Sequence, residues 1–205
     1  LRHADQRHRS RHAGDQSAPD RHPLGEHQRR ARAARREAFG DRALVANATG
    51  FDVLERGMRG PDADHVDDAK RLFGVEELLE HGRVDYMVGA EPAPGVFILG
   101  YHEHPLQKKW LELYKLGDGP LYTFYTPYHL VTNEVPLSIV WAVEDREPTV
   151  VPRFGLVTEV IGAAKADLKA GSIIDGGGGY TVYAVNDLAA TAKSEGCVPF
   201  GLLEG

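Results

Sequence analysis

The segment Tyr101-His-Glu-His-Pro105 sets two imidazoles two residues apart. In an extended stretch that spacing sends His102 and His104 to one side, the geometry of a proton-transfer pair or of two ligands. Two histidines are too few for a metal centre and no third ligand is identifiable, so no metal site is expected. A second group surrounds Gly117-Asp-Gly-Pro-Leu-Tyr-Thr-Phe-Tyr-Thr-Pro-Tyr-His-Leu130. There Lys115 suits a phosphate or an alkoxide, Tyr128 or His129 suits proton donation, and Asp118 and Tyr125 flank the same run. The plain alternative is a packed aromatic strand with satisfied hydroxyls. Thr132, Asn133 and Glu134 follow at an expected helix start, where backbone N–H groups favour an anion or where the side chains simply cap. Asn47, Thr49 and Arg59 form a third polar set, with Arg59 either a phosphate clamp or an exposed turn arginine. The catalytic candidates are thus Lys115, Tyr128, His129 and His102. The substrate-binding candidates are Asn47, Thr49, Arg59, His104, Asp118, Tyr125, Thr132 and Glu134.

Positioning these residues requires a mixture of short helices and strands. Ala43 to Gly50 reads as a helix end or a strand running into a loop. Asp62 or Asp64 is placed to cap a helix through Phe73, and Val75 to His81 forms a second short helix. Val84 to Gly89 and Val96 to Tyr101 are apolar runs, expected as strands around Glu91-Pro-Ala-Pro-Gly95. Leu106, Trp110, Leu111, Leu113 and Tyr114 recur at helical spacing between His104 and Leu116. Leu121 to Tyr125 is a strand, and a helix runs from Asn133 to Asp145 with Pro136 in its first turn. Beyond Glu147, two strands (Gly155 to Gly162, Tyr180 to Val185) precede a helix from Asp187 to Ser194. Mixed elements of this kind define an α+β fold. A boundary is expected near Pro148 to Pro152. Gly176 to Gly179 reads as a turn rather than a phosphate loop, since no helix follows it. Asp62, Asp64, Asp67 and Asp68 read as a solvated helix face.

Charge is unevenly spread. Residues 1–40 carry ten arginines, no lysine and five acids, a balance of +5, whereas the formal charge of the whole chain is −6. The body is therefore acidic, which argues against a nucleic-acid surface. The first 40 residues contain no Val, Ile, Thr, Tyr, Trp, Met, Cys, Asn or Lys. Such a segment cannot cover a core and is expected to be disordered, or aberrant: Arg, Ala, His, Gln, Asp and Pro are what GC-rich DNA yields in a shifted frame. The single cysteine, Cys197, excludes an intrachain disulfide, fits a reducing compartment and reads as packed rather than reactive. No apolar run reaches the roughly 20 residues of a membrane span and no secretory h-region opens the chain, so a cytoplasmic protein is expected.

Asn47-Ala-Thr-Gly50, Arg59-Gly-Pro61, Val84-Asp-Tyr86, Pro94-Gly-Val96, the 117–130 run and Pro136-Leu-Ser138 occur in the order and spacing of one family. The sequence resembles homoserine-dehydrogenase-like oxidoreductases, including deoxyxylulose-phosphate reductoisomerase-like enzymes, with a C-terminal SAF (antifreeze-like, β-clip) module. Ala164-Lys-Ala-Asp-Leu-Lys-Ala-Gly171 is similar to that module's signature turn. The resemblance spans residues 43–205. It implies a disordered or frameshifted segment at 1–41, a mixed α/β substrate and catalytic region at 42–150, and a small β-rich, truncated SAF module at 151–205. It further implies NAD or NADP as cofactor, a divalent metal as a further candidate, a small hydroxy-carbonyl substrate such as a sugar phosphate, and a homo-oligomer with no nucleic-acid or membrane partner. Family members begin with a Rossmann domain, but no G-x-G-x-x-G fingerprint exists here, and they continue past residue 205. The expectation is therefore a fragment without its cofactor domain, silent on its own. Two alternatives stay open: a non-catalytic SAF module that binds carbohydrate or joins subunits, and a sugar-acid dehydratase.

Overall fold

The structure is a computed structural model that describes residues 39–127, 132–175 and 179–203, with backbone only for Phe39 and Asn133. The expectations for residues 1–38, Tyr128 and His129 lie outside the described residues. The fold is α+β, with two antiparallel two-stranded sheets and short helices around them. Among the described residues, no helix is long and apolar enough to cross a membrane.

Helix α1 (Phe39–Thr49) turns Ala43 and Ala46 inward. These small side chains let its axis approach the C-terminal sheet, made of β3 (Thr158–Ala164) and β4 (Val182–Leu188). Gly50 ends the helix at φ +78° while its N–H still bonds to Ala46 at 2.8 Å. After α1 the chain packs Val53, Met58, Tyr86 and Val88 into one apolar cluster, which Leu188 of β4 completes.

Val84 to Gly89 is not a strand. Its backbone makes only single bridges, Asp52 with Arg83 and Asp62 with Val88. The reason is Asp85, whose carboxylate accepts the N–H groups of Gly60 (3.0 Å), Arg59 (3.3 Å) and Tyr86 (2.7 Å). A side chain here takes the place that a neighbouring strand would fill. Neither Asp62 nor Asp64 caps the next helical turn (Val66–Asp68) and the α2 helix that continues it (Ala69–Leu72). His65 does so, its Nδ1 accepting the Asp67 N–H at 3.1 Å. Asp68 completes the box by accepting the N–H of His65 and Asp64. Arg71 first, then those N–H groups, hold the Asp68 carboxyl below its usual range.

Helix α3 (Val75–Glu80) leads into β1 (Gly95–Tyr101), helix α4 (Pro105–Leu113) and β2 (Leu121–Pro127). β1 and β2 pair from Gly95 with Pro127 to Tyr101 with Leu121. One sheet face carries Phe97, which stacks on Phe73 at 6.3 Å. The other carries Val96, Ile98 and Gly100 opposite Thr126, Phe124 and Tyr122. Helix α5 (Val135–Val140) has Pro136 in its first turn and continues as a wider π turn over Trp141–Asp145.

β3 starts at Thr158 rather than Gly155, and β4 extends to Leu188, so Asp187 belongs to the strand and α6 begins only at Ala189 (Ala189–Ser194). Asp187 stays in the ladder opposite Glu159 because Arg56 takes its buried carboxylate at 2.7 Å. Ile161, Val185 and Ala192 form the second apolar cluster, with Ala163 and Cys197 against it. Bonds cross residues 148–152 freely: Phe154 N–H to Asn47 O at 3.1 Å and Gly57 N–H to Asn186 O at 2.7 Å.

Candidate functional site

A cleft of about 260 Å³ opens where β1 ends, β2 begins and α4 leans over both. Gly100, Tyr101, His102, Gln107, Leu111, Tyr122 and Phe124 line it. Register explains the assembly: Gly100 faces Tyr122 across the ladder, and Gln107 and Leu111 lie one helical turn apart on α4. Gly100 must be small, because a Cβ there would meet the Phe124 ring at 3.0 Å. Pro105 opens α4 in its first turn, where a missing N–H costs nothing, so the chain turns sharply from His104 into the helix.

The chemistry of the lining is specific. The Tyr101 hydroxyl donates to the Glu103 carboxylate; that bond first, then desolvation and the carboxylate's charge, push the Tyr101 pKa up. The single O–H of Tyr101 is thus committed to Glu103, and its oxygen remains an acceptor. His102 is half-buried and brings an imidazole whose two ring nitrogens can donate and accept hydrogen bonds. Gln107 brings an amide that both donates and accepts, while Leu111 and Phe124 are apolar walls. Among the described residues, no lysine or arginine lines the cleft. The arrangement suits a small polar molecule whose hydroxyl or carbonyl meets His102 and Gln107.

The sequence-derived candidates disperse over the fold. His102 lines the cleft, and its ring lies 6.5 Å from that of His104, which is exposed at the start of α4. The Lys115 to Pro120 turn is adjacent, since His102 N–H bonds to Pro120 O at 2.9 Å, but Lys115 and Asp118 point into solvent and do not line the cleft. Tyr125 sits roughly 14 Å further along the hairpin. Its hydroxyl donates to the carbonyls of Pro92 (2.9 Å) and Pro94 (3.1 Å), pinning the loop before β1. Arg59 pairs with Glu77 at 2.7 Å, and Glu77 also faces Arg83 at 3.2 Å. Thr49 donates to Val45 O and accepts from Phe51 N–H, so it closes the end of α1. The Asn47 Oδ1 accepts from Val157 (2.8 Å) and Thr158 (2.9 Å), and its Nδ2 donates to Thr158 O (3.2 Å). Asn47, Thr49 and Arg59 each make side-chain hydrogen bonds within the protein. Thr132 and Glu134 bound the exposed turn before α5.

Sequence reasoning passed over Tyr101, Gln107 and Tyr122. The signal available was the one-turn spacing of Gln107 and Leu111 just after the histidine pair. A second hollow, of about 350 Å³, is lined by Leu44, Asn47, Val150, Pro152, Gly155 and Leu156. It has no ionisable group with which to do chemistry. No group of three His, Cys, Asp or Glu among the described residues is placed to hold a metal ion. Among the described residues, no strand passes through a glycine-rich loop into a helix.

A half-polar cleft at a strand end has the shape and chemistry to receive a small molecule. Residues 38–135 match the family model described as oxidoreductase DRL, catalytic domain. That stretch, from α1 through β2 with the whole cleft, is similar to an oxidoreductase catalytic domain. No curated protein matches the chain.

Proposed function

We propose that residues 42–150 are the substrate side of an NAD(P)-dependent oxidoreductase acting on a small hydroxy-carbonyl compound. The observation that carries this reading is the coincidence of the family match, 38–135, with a cleft holding His102, Tyr101 and Gln107. A bound nicotinamide would supply the hydride. This chain's own residues bind and orient: Gln107 fixes a hydroxyl, and His102 exchanges a proton with the reacting oxygen. The Tyr101 O–H is engaged by Glu103, so this residue offers its oxygen as an acceptor to a substrate hydroxyl. The described lining is polar without a lysine or arginine, which suits the carbonyl end of a hydroxy-carbonyl substrate. The C-terminal hairpin, residues 151–205, is read as the SAF-like module that braces α1.

The test is a two-part titration. Hydroxyacetone and dihydroxyacetone phosphate are added to isotope-labelled protein, and amide shifts are followed. Shifts centred on Gly100, His102, Gln107 and Leu111, lost in His102→Ala, support the reading; shifts only around Leu44 and Leu156 would sink it. NADH and NADPH titrated separately should show no saturable binding to this chain.

A further inference from the structure

Tyr122 is only 1% exposed, yet its hydroxyl has no hydrogen-bond partner within the protein. Among the described residues, Thr123, Thr158 and Asn186 are other buried groups in that condition, but Tyr122 alone also lines the cleft. Its place follows from two glycines. Tyr122 stands opposite Gly100 in the β1–β2 ladder, on the face that carries Phe124, so the position across from it has no side chain. Gly119 lies against the hydroxyl: a Cβ there would collide with the oxygen, and a φ of +72° suits glycine as well. An O–H withdrawn from water and left unbonded costs stability. Phenylalanine would fill the same space without that cost, so the hydroxyl is explained by a group that enters the cleft and bonds to it.

We infer that Tyr122 is a specificity-determining residue of this cleft, and that its hydroxyl takes a second hydroxyl of the substrate. The inference rests on the reading of the cleft as a hydroxy-carbonyl site and narrows it. The carbonyl goes to His102, one hydroxyl to Gln107 and another to Tyr122. The ligand class is then a small ketone or aldehyde carrying at least two hydroxyls. A phenol suits that task, because it both donates to and accepts from an alcohol. It also discriminates: a ligand without the second hydroxyl fills the cleft but leaves the buried Tyr122 O–H unpaired.

Amide-shift titration of the full chain with hydroxyacetone, which has one hydroxyl, and dihydroxyacetone, which has two, tests this. The wild type should bind dihydroxyacetone at least about tenfold more tightly, and Tyr122→Phe should bring that ratio down to about one. Without ligand, the urea midpoint of Tyr122→Phe should be no lower than that of the wild type, since no internal hydrogen bond is lost. Equal affinities in the wild type, a ratio that survives in Tyr122→Phe, or a midpoint lowered by more than about 0.5 M would each overturn the inference. In those cases hydroxyacetone shifts at His102 and Gln107 would leave the cleft reading standing. If neither compound moves those amides in the wild type, the cleft reading falls and the role of Tyr122 falls with it.

Discussion

Replacing Asn47 by alanine should unfold this protein early without touching its cleft. Three hydrogen bonds join Asn47 to Val157 and to Thr158, the first residue of β3, at 2.8, 2.9 and 3.2 Å. Thr158 is only 1% exposed, so its N–H cannot turn to water once the amide is gone. At roughly 0.5–1.5 kcal/mol net per bond, with one buried donor left unpaired, the loss comes to about 2–4 kcal/mol. With a urea slope near 2 kcal/mol/M for a chain of this size, the midpoint should fall by about 1–2 M. Far-ultraviolet dichroism is the suitable probe, since Trp110 and Trp141 are both exposed and report poorly on the core. Asn47→Asp keeps the acceptor and loses only the donor, so it should cost roughly half as much. Hydroxyacetone shifts at His102 should be the same in wild type and variant. A midpoint drop below about 0.25 M, or loss of those shifts in a folded variant, would show that Asn47 is a ligand contact and not a strand clasp.

Three further outcomes follow from particular contacts. Gly60→Ala places a Cβ within 2.1 Å of the Tyr86 ring at a φ of +52°. Denaturant unfolding should register a loss of roughly 2–4 kcal/mol, whereas under about 0.5 would mean that the ring moves freely. Gly100→Ala should cost less than about 1 kcal/mol yet push Phe124 into the cleft, abolishing hydroxyacetone shifts at Gln107. Asp175 has its pKa lowered to about 2, first by the Thr181 hydroxyl and then by the N–H groups of Tyr180 and Thr181. Its contribution is complete above the ordinary carboxylate value of 3.8 and is lost as pH falls from there toward 2. Acid titration followed by Thr181 amide exchange should show that loss in the wild type and a flat profile in Asp175→Asn.

Elements with a strong local pattern are readable from the chain itself. β1, α4 and β2 follow from an apolar run, a helical stripe and a Gly-Pro turn, and Pro136 marks the first turn of α5 because proline suits no other place in a helix. The failures share a cause: the deciding partner is far away or of an unusual type. Val84 to Gly89 has strand composition, but pairing is a property of neighbours, and Asp85 diverts the backbone bonds of Arg59 and Gly60. Histidine is a rare cap, so Asp62 and Asp64 drew attention that His65 earned. Asn47 reads as a free polar group in the sequence because the N–H groups that donate to it, those of Val157 and Thr158, lie 110 and 111 residues away. In the site, the histidine pair was visible. Gln107 and Tyr122 were not, because only the β1–β2 register and the lean of α4 bring them beside His102.

The bonds that run from α1 and the 51–60 segment into β3 and β4 also govern how the molecule would respond to a protease. The exposed stretch 146–153 invites cleavage. Yet Asn47 would still hold Thr158, Arg56 would still hold Asp187, and Leu188 would still fill the cluster of Val53 and Val88. A nick there should therefore yield two peptides that migrate as one particle until denaturant parts them. Either half expressed alone would show a raw apolar seam, and the two should find each other again when mixed.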